Sequence, residues 1–173
     1  PSQLQGVVCG LVRHLIRSRV FEGSRIRGRY WQVIVDGTQL ESSQRKLDPK
    51  SLYRTHRKGT PEEYREYYYY VLEAKLVLRE DILVSIMTEF VENEGLEVEK
   101  QDCEQNACRR LLKKLHEEFP RLPVCLSADS LYACETFFKE CRGYGSITFC
   151  ALKKGVFLML QRNFGRCETG KGT

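Results

Sequence analysis

Asp36 and Asp129 are the residues whose type and setting could do chemistry. Each closes a short apolar run, Trp31-Gln-Val-Ile-Val-Asp36-Gly-Thr38 and Leu122-Pro-Val-Cys-Leu-Ser-Ala-Asp129. A carboxylate at the mouth of a buried strand costs desolvation energy unless a cation or a hydrogen-bonding partner meets it. Two of them brought together repel, so either one takes a proton or a divalent ion such as Mg²⁺ or Mn²⁺ binds between them. Asp is also common in the turns that end strands. On spacing alone both readings stand.

The elements that must position this pair follow from the periodicity. Leu4, Val7, Val8, Leu11, Leu15 and Ile16 recur at helical spacing and predict an amphipathic helix from about Gln3 to Ser18. Tyr30 to Val35 is aromatic and β-branched, and reads as a strand stopped by Asp36-Gly37. Residues 41–63 are polar, with turn signals at Asp48-Pro49 and Lys58-Gly59-Thr60-Pro61, and read as a long excursion that could face a substrate. Tyr67 to Leu78 and Ile82 to Val91 form two β-prone runs around Arg79-Glu80-Asp81, a hairpin. The four tyrosines Tyr67 to Tyr70 would alternate faces on such a strand, with packing favoured over base stacking.

Asp102 is placed to cap a helix whose stripe is Ala107, Cys108, Leu111, Leu112, Leu115 and Phe119, ending at Pro120. Val124 to Ala128 is a short buried strand, and Ser130 opens a second helix carrying Leu131, Cys134, Phe137 and Phe138 to about Cys141. A strand, an antiparallel hairpin and a helix can return a fourth strand parallel to the first through a right-handed crossover. If those two strands are neighbours, Asp36 and Asp129 lie side by side at the sheet edge where open α/β sheets commonly bind ligands.

Composition narrows the classes. A chain of 173 residues, 42% hydrophobic and 29% charged, fits one globular domain. No apolar run approaches the roughly 20 residues that cross a bilayer, and no signal peptide opens the chain, so a cytoplasmic protein without a membrane partner is expected. The eight cysteines form no CxxC pair, which argues against a zinc site and a disulfide framework and for core or surface thiols. The net charge of +5 arises after Cys141, because the first 140 residues balance 22 basic against 22 acidic side chains. A local patch of Arg13, Arg17, Arg19, Arg25, Arg27 and Arg29 faces the single acid Glu22; it is either a phosphate-binding cluster or a solvated helix face. The chain opens at Pro1 without a methionine, as a fragment or a processed chain does.

Four ordered blocks carry a family resemblance: Val35-Asp36-Gly37-Thr38, Val71-Leu72-Glu73-Ala74-Lys75, Lys100-Gln101-Asp102-Cys103-Glu104 and Leu126-Ser127-Ala128-Asp129-Ser130-Leu131-Tyr132-Ala133. From about Leu4 to Gly145 the chain resembles the catalytic domain of bacterial insertion-sequence transposases of the DDE type. The resemblance implies a ribonuclease H-like α/β fold, a mixed sheet of an antiparallel hairpin plus a parallel strand flanked by helices, incomplete at the C-terminus. It divides the chain into a basic N-terminal helix and linker (1–29), a partial catalytic domain (30–145) and an atypical tail (146–173). It makes Asp36 and Asp129 the two catalytic, metal-binding aspartates of a site for two Mg²⁺ or Mn²⁺ ions, while the basic patch offers Arg13, Arg17, Arg25, Arg27 and Arg29 as candidate DNA contacts. The implied chemistry is cleavage and strand transfer of double-stranded DNA at transposon ends. The implied partners are transposon-end and target DNA, a second copy or a full-length transposase, in a bacterial nucleoid.

The chain departs from the family at the third acid, which lies well beyond the second Asp in a Tyr, Arg, Glu, Lys helical motif. After Cys141 the sole acid is Glu168, in a Gly-rich tail without that context; Glu135 and Glu140 read as ordinary helix acids. An inactive, truncated piece is therefore expected. Shifting a permitted codon choice by one base turns Ile147 to Val156 into the run HYILRFKEGC, which suits the family better, so the tail from near Gly145 is expected to be out of frame. The competing readings are another metal nuclease of the same fold, such as a junction resolvase, and a non-catalytic fragment that binds DNA or interferes with the full-length enzyme.

Overall fold

The alternation of Leu72, Ala74, Leu76 and Leu78 with Glu73, Lys75 and Val77 gives one strand two unlike faces, and the sheet is organised around it. The computed structural model describes residues 2–93, 101–129, 132 and 134–144, together with the backbone of 147–151 and 157–160. Its elements are α1 (Ser2–Arg17), β1 (Trp31–Ser43), β2 (Leu52–His56), β3 (Tyr64–Arg79), β4 (Ile82–Val91), α2 (Glu104–Glu118), β5 (Val124–Asp129), α3 (Glu135–Gly143), β6 (Ile147–Ala151) and β7 (Phe157–Leu160). This is a mixed α/β arrangement: β1 pairs antiparallel with β3 and parallel with β5, β4 pairs antiparallel with β3, and β6 pairs parallel with β5. The path β2-β3-β1-β5-β6-β7 runs across the sheet, with β4 alongside β3.

The helices pack on the face that carries Val33, Val35, Leu72, Ala74, Leu76 and Leu126, all buried in one cluster with the Cys9–Val12 side of α1 and the Leu111–Leu115 side of α2. The opposite face carries Gln32, Ile34, Glu73, Lys75 and Ser127, which are only half-buried. A leucine such as Leu111 buried in this core contributes roughly 2–3 kcal/mol. The six described cysteines are free thiols.

The helical stripe, the hairpin and the strand over 124–129 follow the sequence expectation, and three details differ. β1 does not stop at Asp36-Gly37 but continues to Ser43, because the backbone of β3 from Val71 back to Tyr67 offers it a partner as far as the Ser43–Tyr67 pair. The polar excursion contains a strand of its own, β2, which pairs with Tyr64 to Tyr68 of β3. Beside β3, β2 and β4 therefore lie end to end: β2 takes the first part and β4 takes Tyr70 to Arg79. Lastly, α2 is capped by Cys103, with no side-chain cap bond, and α3 begins at Glu135 after Cys134. The helix start expected at Ser130 lies outside the described residues, as do Glu168 and most of the tail.

Asp102 has another task. Its carboxylate accepts from Arg110 Nη2 at 2.7 Å, while Arg110 Nε reaches Glu89 Oε1 at 2.7 Å and Lys114 Nζ reaches Glu89 Oε2 at 2.5 Å. Glu89 is 8% exposed, so these two cations of α2 offset the cost of burying a β4 carboxylate. Burial pushes the Asp102 carboxyl up, but the bonds from Arg110 and the Cys103 backbone more than reverse this and hold it below its ordinary value. Because the folded carboxyl is the stronger acid, its contribution is present above the unfolded value near 3.8 and is lost as pH falls through the folded one. Arg110→Ala is expected to lower stability by roughly 1–3 kcal/mol at pH 7, less than a fully buried pair because Arg110 is partly exposed. Urea unfolding of both proteins from pH 7 to pH 3 should show the gap narrowing in acid.

Candidate functional site

β1 and β5 are neighbouring parallel strands, and the register pairs Val33 with Leu126 and Ile34 with Ser127. Two residues further along both chains come Asp36 and Asp129, at the same end of the sheet. They share the helix-free face with Gln32 and Ser127, whose side chains are hydrogen-bonded at 3.0 Å across the same two strands. Both aspartates are exposed. Adjacent strands lie about 4.8 Å apart, and the two aspartates stand two residues beyond the last pair of the β1–β5 ladder. Asp36 Oδ1 also accepts from the Gly37 backbone N–H at 2.9 Å, which anchors its side chain close to its own backbone.

Gly37 is needed for a steric reason. It faces the helix side, where the Tyr70 ring lies directly over it, and a Cβ built there would fall 2.6 Å from Tyr70 Cε1. The Tyr70 hydroxyl then donates to Glu104 Oε2 at 3.4 Å, and the Tyr132 hydroxyl donates to Glu104 Oε1. Tyr132 is 2% exposed, and burial, then its bond to Glu104, push its phenol well above the ordinary range. Tyr70 is pushed up to about 12, first by burial and then by the negative charge of Glu104, with Asp36 and Asp129 adding to it. Both phenols therefore stay protonated and act as donors. Glu104 sits at the start of α2, so this clamp ties the helix, β3 and Tyr132, three residues past the end of β5, to the backbone next to Asp36.

The rest of the same sequence block is equally committed. The Gln101 side-chain amide donates to Tyr53 O at 2.8 Å and accepts from Tyr53 N at 2.7 Å, pairing with β2 as a strand would. Asn93, 3% exposed, donates to Ser51 O at 3.2 Å and accepts from Asp102 N at 3.1 Å, closing the junction between β2 and β4. Sequence reasoning did not find these roles. Their signal was present as a dense run of polar residues, Gln101, Asp102 and Glu104, ahead of an amphipathic helix.

The basic residues assigned to DNA lie at the other end of β1. Trp31 and Asp36 are separated by five residues, about 17 Å of strand. Arg13 is paired with Glu118 at 2.5 Å and its guanidinium lies 5.3 Å from the Phe119 ring. Arg25 is paired with Glu22 at 2.5 Å and lies 5.1 Å over the Trp31 ring, and Arg29 lies 5.1 Å over Tyr30. Arg27 and Gly28, with φ of 52° and 66°, form the tip of a tight turn closed by the Ile26–Tyr30 bridge. Arg17 is exposed near the end of α1. The patch is thus partly spent on intramolecular pairs. Glu135 and Glu140 pair with Lys139 at 2.8 Å and Arg109 at 3.0 Å, as ordinary helix acids do.

Mg²⁺ is commonly held by one or two protein carboxylates, with water and substrate phosphate completing its shell. Asp36 and Asp129 meet that requirement by type, exposure and adjacency. Among the described residues no group of three or more His, Cys, Asp and Glu is arranged to hold an ion. No described helix is long and apolar enough to cross a membrane.

Gly37→Ala is expected to cost roughly 1–3 kcal/mol by driving a methyl group into the Tyr70 ring. In the Tyr70→Ala background the same change should cost much less, and a double-mutant cycle by chemical denaturation checks the coupling. Set against known protein families, curated proteins and solved structures, the chain matches none, so its functional reading stands on this geometry and on the residues that compose it.

Proposed function

We propose that this chain is a ribonuclease H-like domain of the DDE transposase type, which binds double-stranded DNA and holds Mg²⁺ or Mn²⁺ at Asp36 and Asp129. The observation that carries the reading is the placement of these two acids on adjacent parallel strands, level with each other and on one face. The strand order β4-β3-β1-β5-β6, with antiparallel pairing on one side of β1 and parallel pairing on the other, supports the fold assignment. Asp36 and Asp129 would hold the divalent ions, whose contribution there would be to activate water or a DNA 3′-hydroxyl and to stabilise the leaving oxygen of an in-line attack on phosphorus.

The chain's own residues have separable roles. Asp36 and Asp129 bind the cation and orient the scissile phosphate. Gly37 and Tyr70 fix the backbone that carries Asp36, and Glu104, held by two phenols, fixes Tyr70. The family's third acid is assigned to no described residue. The segment after Gly145 is read as out of frame; β6 adds to β5 through main-chain bonds, which do not depend on side-chain identity. Translating the source nucleotide sequence in the alternative frame should yield an extended continuation with a Tyr, Arg, Glu, Lys block, and a frame without one removes that part of the proposal.

A second reading is favoured by the absence, among the described residues, of any group of three or more possible metal ligands: the chain binds DNA, or a full-length transposase, without cutting. A gel shift on insertion-sequence ends, run with and without Mn²⁺ beside a cleavage assay, separates the two. Cleavage that disappears in Asp36→Asn supports the enzyme, a shift without cleavage supports the binder, and no shift counts against both. For the metal itself, Mn²⁺ titrated into the wild type and into Asp36→Asn or Asp129→Asn should bind the variants at least about tenfold more weakly, since losing even an outer partner of a metal ligand has that effect. Equal binding would refute the site.

A further inference from the structure

The β1–β5 ladder ends at Ile34–Ser127, so the two residues of each strand that lead on to Asp36 and Asp129 have no backbone pairing to each other. We propose that Glu104 is a positioning residue for this acid pair: one of its oxygens holds the chain beside Asp36, the other holds the chain that leaves Asp129, and the bridge makes the pair prefer a small octahedral ion over Ca²⁺. The inference rests on the cation-binding reading above and adds what fixes the spacing of the ligands.

Glu104 is half-buried at the first position of α2. Its Oε2 accepts from the Tyr70 hydroxyl at 3.4 Å, and the Tyr70 ring presses on Gly37, where a Cβ would fall 2.7 Å from Tyr70 Cζ. Gly37 carries the N–H that Asp36 Oδ1 accepts at 2.9 Å. A shift of the Tyr70 ring therefore moves the peptide to which the Asp36 carboxylate is anchored. On the other side Glu104 Oε1 accepts from the Tyr132 hydroxyl, three residues past Asp129. Tyr132 has little freedom of its own: it is buried, its ring lies 5.4 Å from that of Phe137, and its carbonyl accepts from Cys134 N–H at 2.8 Å.

The bridge starts from a fixed point. Just ahead of Glu104, Gln101 pairs with both backbone groups of Tyr53, and Asp102 is held by Arg110 at 2.7 Å and through its N–H by Asn93 at 3.1 Å. The bridge also ends close to both ligands. Burial and then Glu104 push the Tyr70 phenol up to about 12, and Asp36 and Asp129 both add to the push, so the ring that Glu104 holds feels the charge of each. Spacing decides which ion suits such a pair. Mg²⁺ demands a near-ideal octahedral shell of oxygens at about 2.1 Å, and Mn²⁺ shares that preference, whereas Ca²⁺ takes a larger, flexible shell at about 2.3–2.6 Å. Two exposed carboxylates on strand ends that share no ladder would accept either kind. Tied to one carboxylate behind them, they hold the tighter shell.

The test titrates Mn²⁺ and, separately, Ca²⁺ into the full chain by calorimetry, with urea unfolding of each variant alongside. Glu104→Gln keeps the size of the side chain but leaves one acceptor oxygen for two phenols. It should weaken Mn²⁺ binding roughly tenfold, as the loss of an outer partner of a metal ligand does, and Ca²⁺ binding by less than about threefold. Tyr132→Phe cuts the Asp129 side alone and should move the preference the same way; added to Glu104→Gln it should change little more. Leu111→Ala loosens the same core away from the bridge and should leave the preference where it was, which separates positioning from a general loss of stability. Should Glu104→Gln not fold, Tyr132→Phe carries the comparison. An unchanged preference in the bridge variants overturns the inference, as does an equal loss of both ions or a loss matched by Leu111→Ala. Mn²⁺ binding that disappears in Asp36→Asn while the bridge variants keep the wild-type preference removes the bridge and leaves the aspartate site standing. A wild type that binds neither ion removes both.

Discussion

Every backbone donor and acceptor in a sheet needs a partner, and a 16-residue strand needs more of them than any one neighbour here can supply. β3 solves this by changing neighbours along its length. On one edge it takes β1 from Tyr67 to Leu76; on the other it takes β2 and then β4, so that β1 beyond Asp36, β2 and the start of β3 form a three-stranded arm. The joint between β2 and β4 is where the ladder would otherwise be left open. Asn93, Gln101 and Ser51 close it with side-chain and backbone bonds, and the buried Asn93 amide is satisfied there. The core half of β3 is held by hydrophobic burial, and the arm half chiefly by hydrogen bonds and ring contacts.

That division places the two aspartates at a boundary. β5 accompanies β1 from Trp31–Val124 to Ile34–Ser127, and past that pair the two strands lose their shared ladder. Asp36 and Asp129 follow Gln32 and Ser127 on the helix-free face and, unlike them, are exposed. On the other face the backbone is packed against Tyr70, with Glu104 behind it. Polarity on one side and tight packing on the other follow from the same two-residue period of the strand.

Much of this was legible in the sequence where burial wrote it. The stripe from Ala107 to Phe119, the hairpin of β3 and β4, and β5 all carry apolar residues at the period of their element, and all six stripe residues are buried. The adjacency of Asp36 and Asp129 followed from the order of elements, because a helix between two strands allows a parallel return. The arm was not legible. Residues 38–42 are exposed and, apart from Leu40, polar, so no alternation marks them, and their strand character comes from a partner about 30 residues away in the chain. β2 was hidden for the same reason. The capping position shifted from Asp102 to Cys103 because Asp102 is drawn to Arg110, a contact eight residues on that no local rule foresees.

The basic turn and the arm lie at opposite ends of β1, with the aspartates between them and nearer the arm. β1 thus behaves as a lever. It has neighbours on both edges at Val33 and Ile34 and is held on its β3 edge alone beyond them. The second clamp ends at Ile34, and at Gly37 the Tyr70 ring holds the span from the helix side. The acid on β1 is therefore set by β3 and Tyr70 and the acid on β5 by β6, so the two aspartates take their positions from different strands.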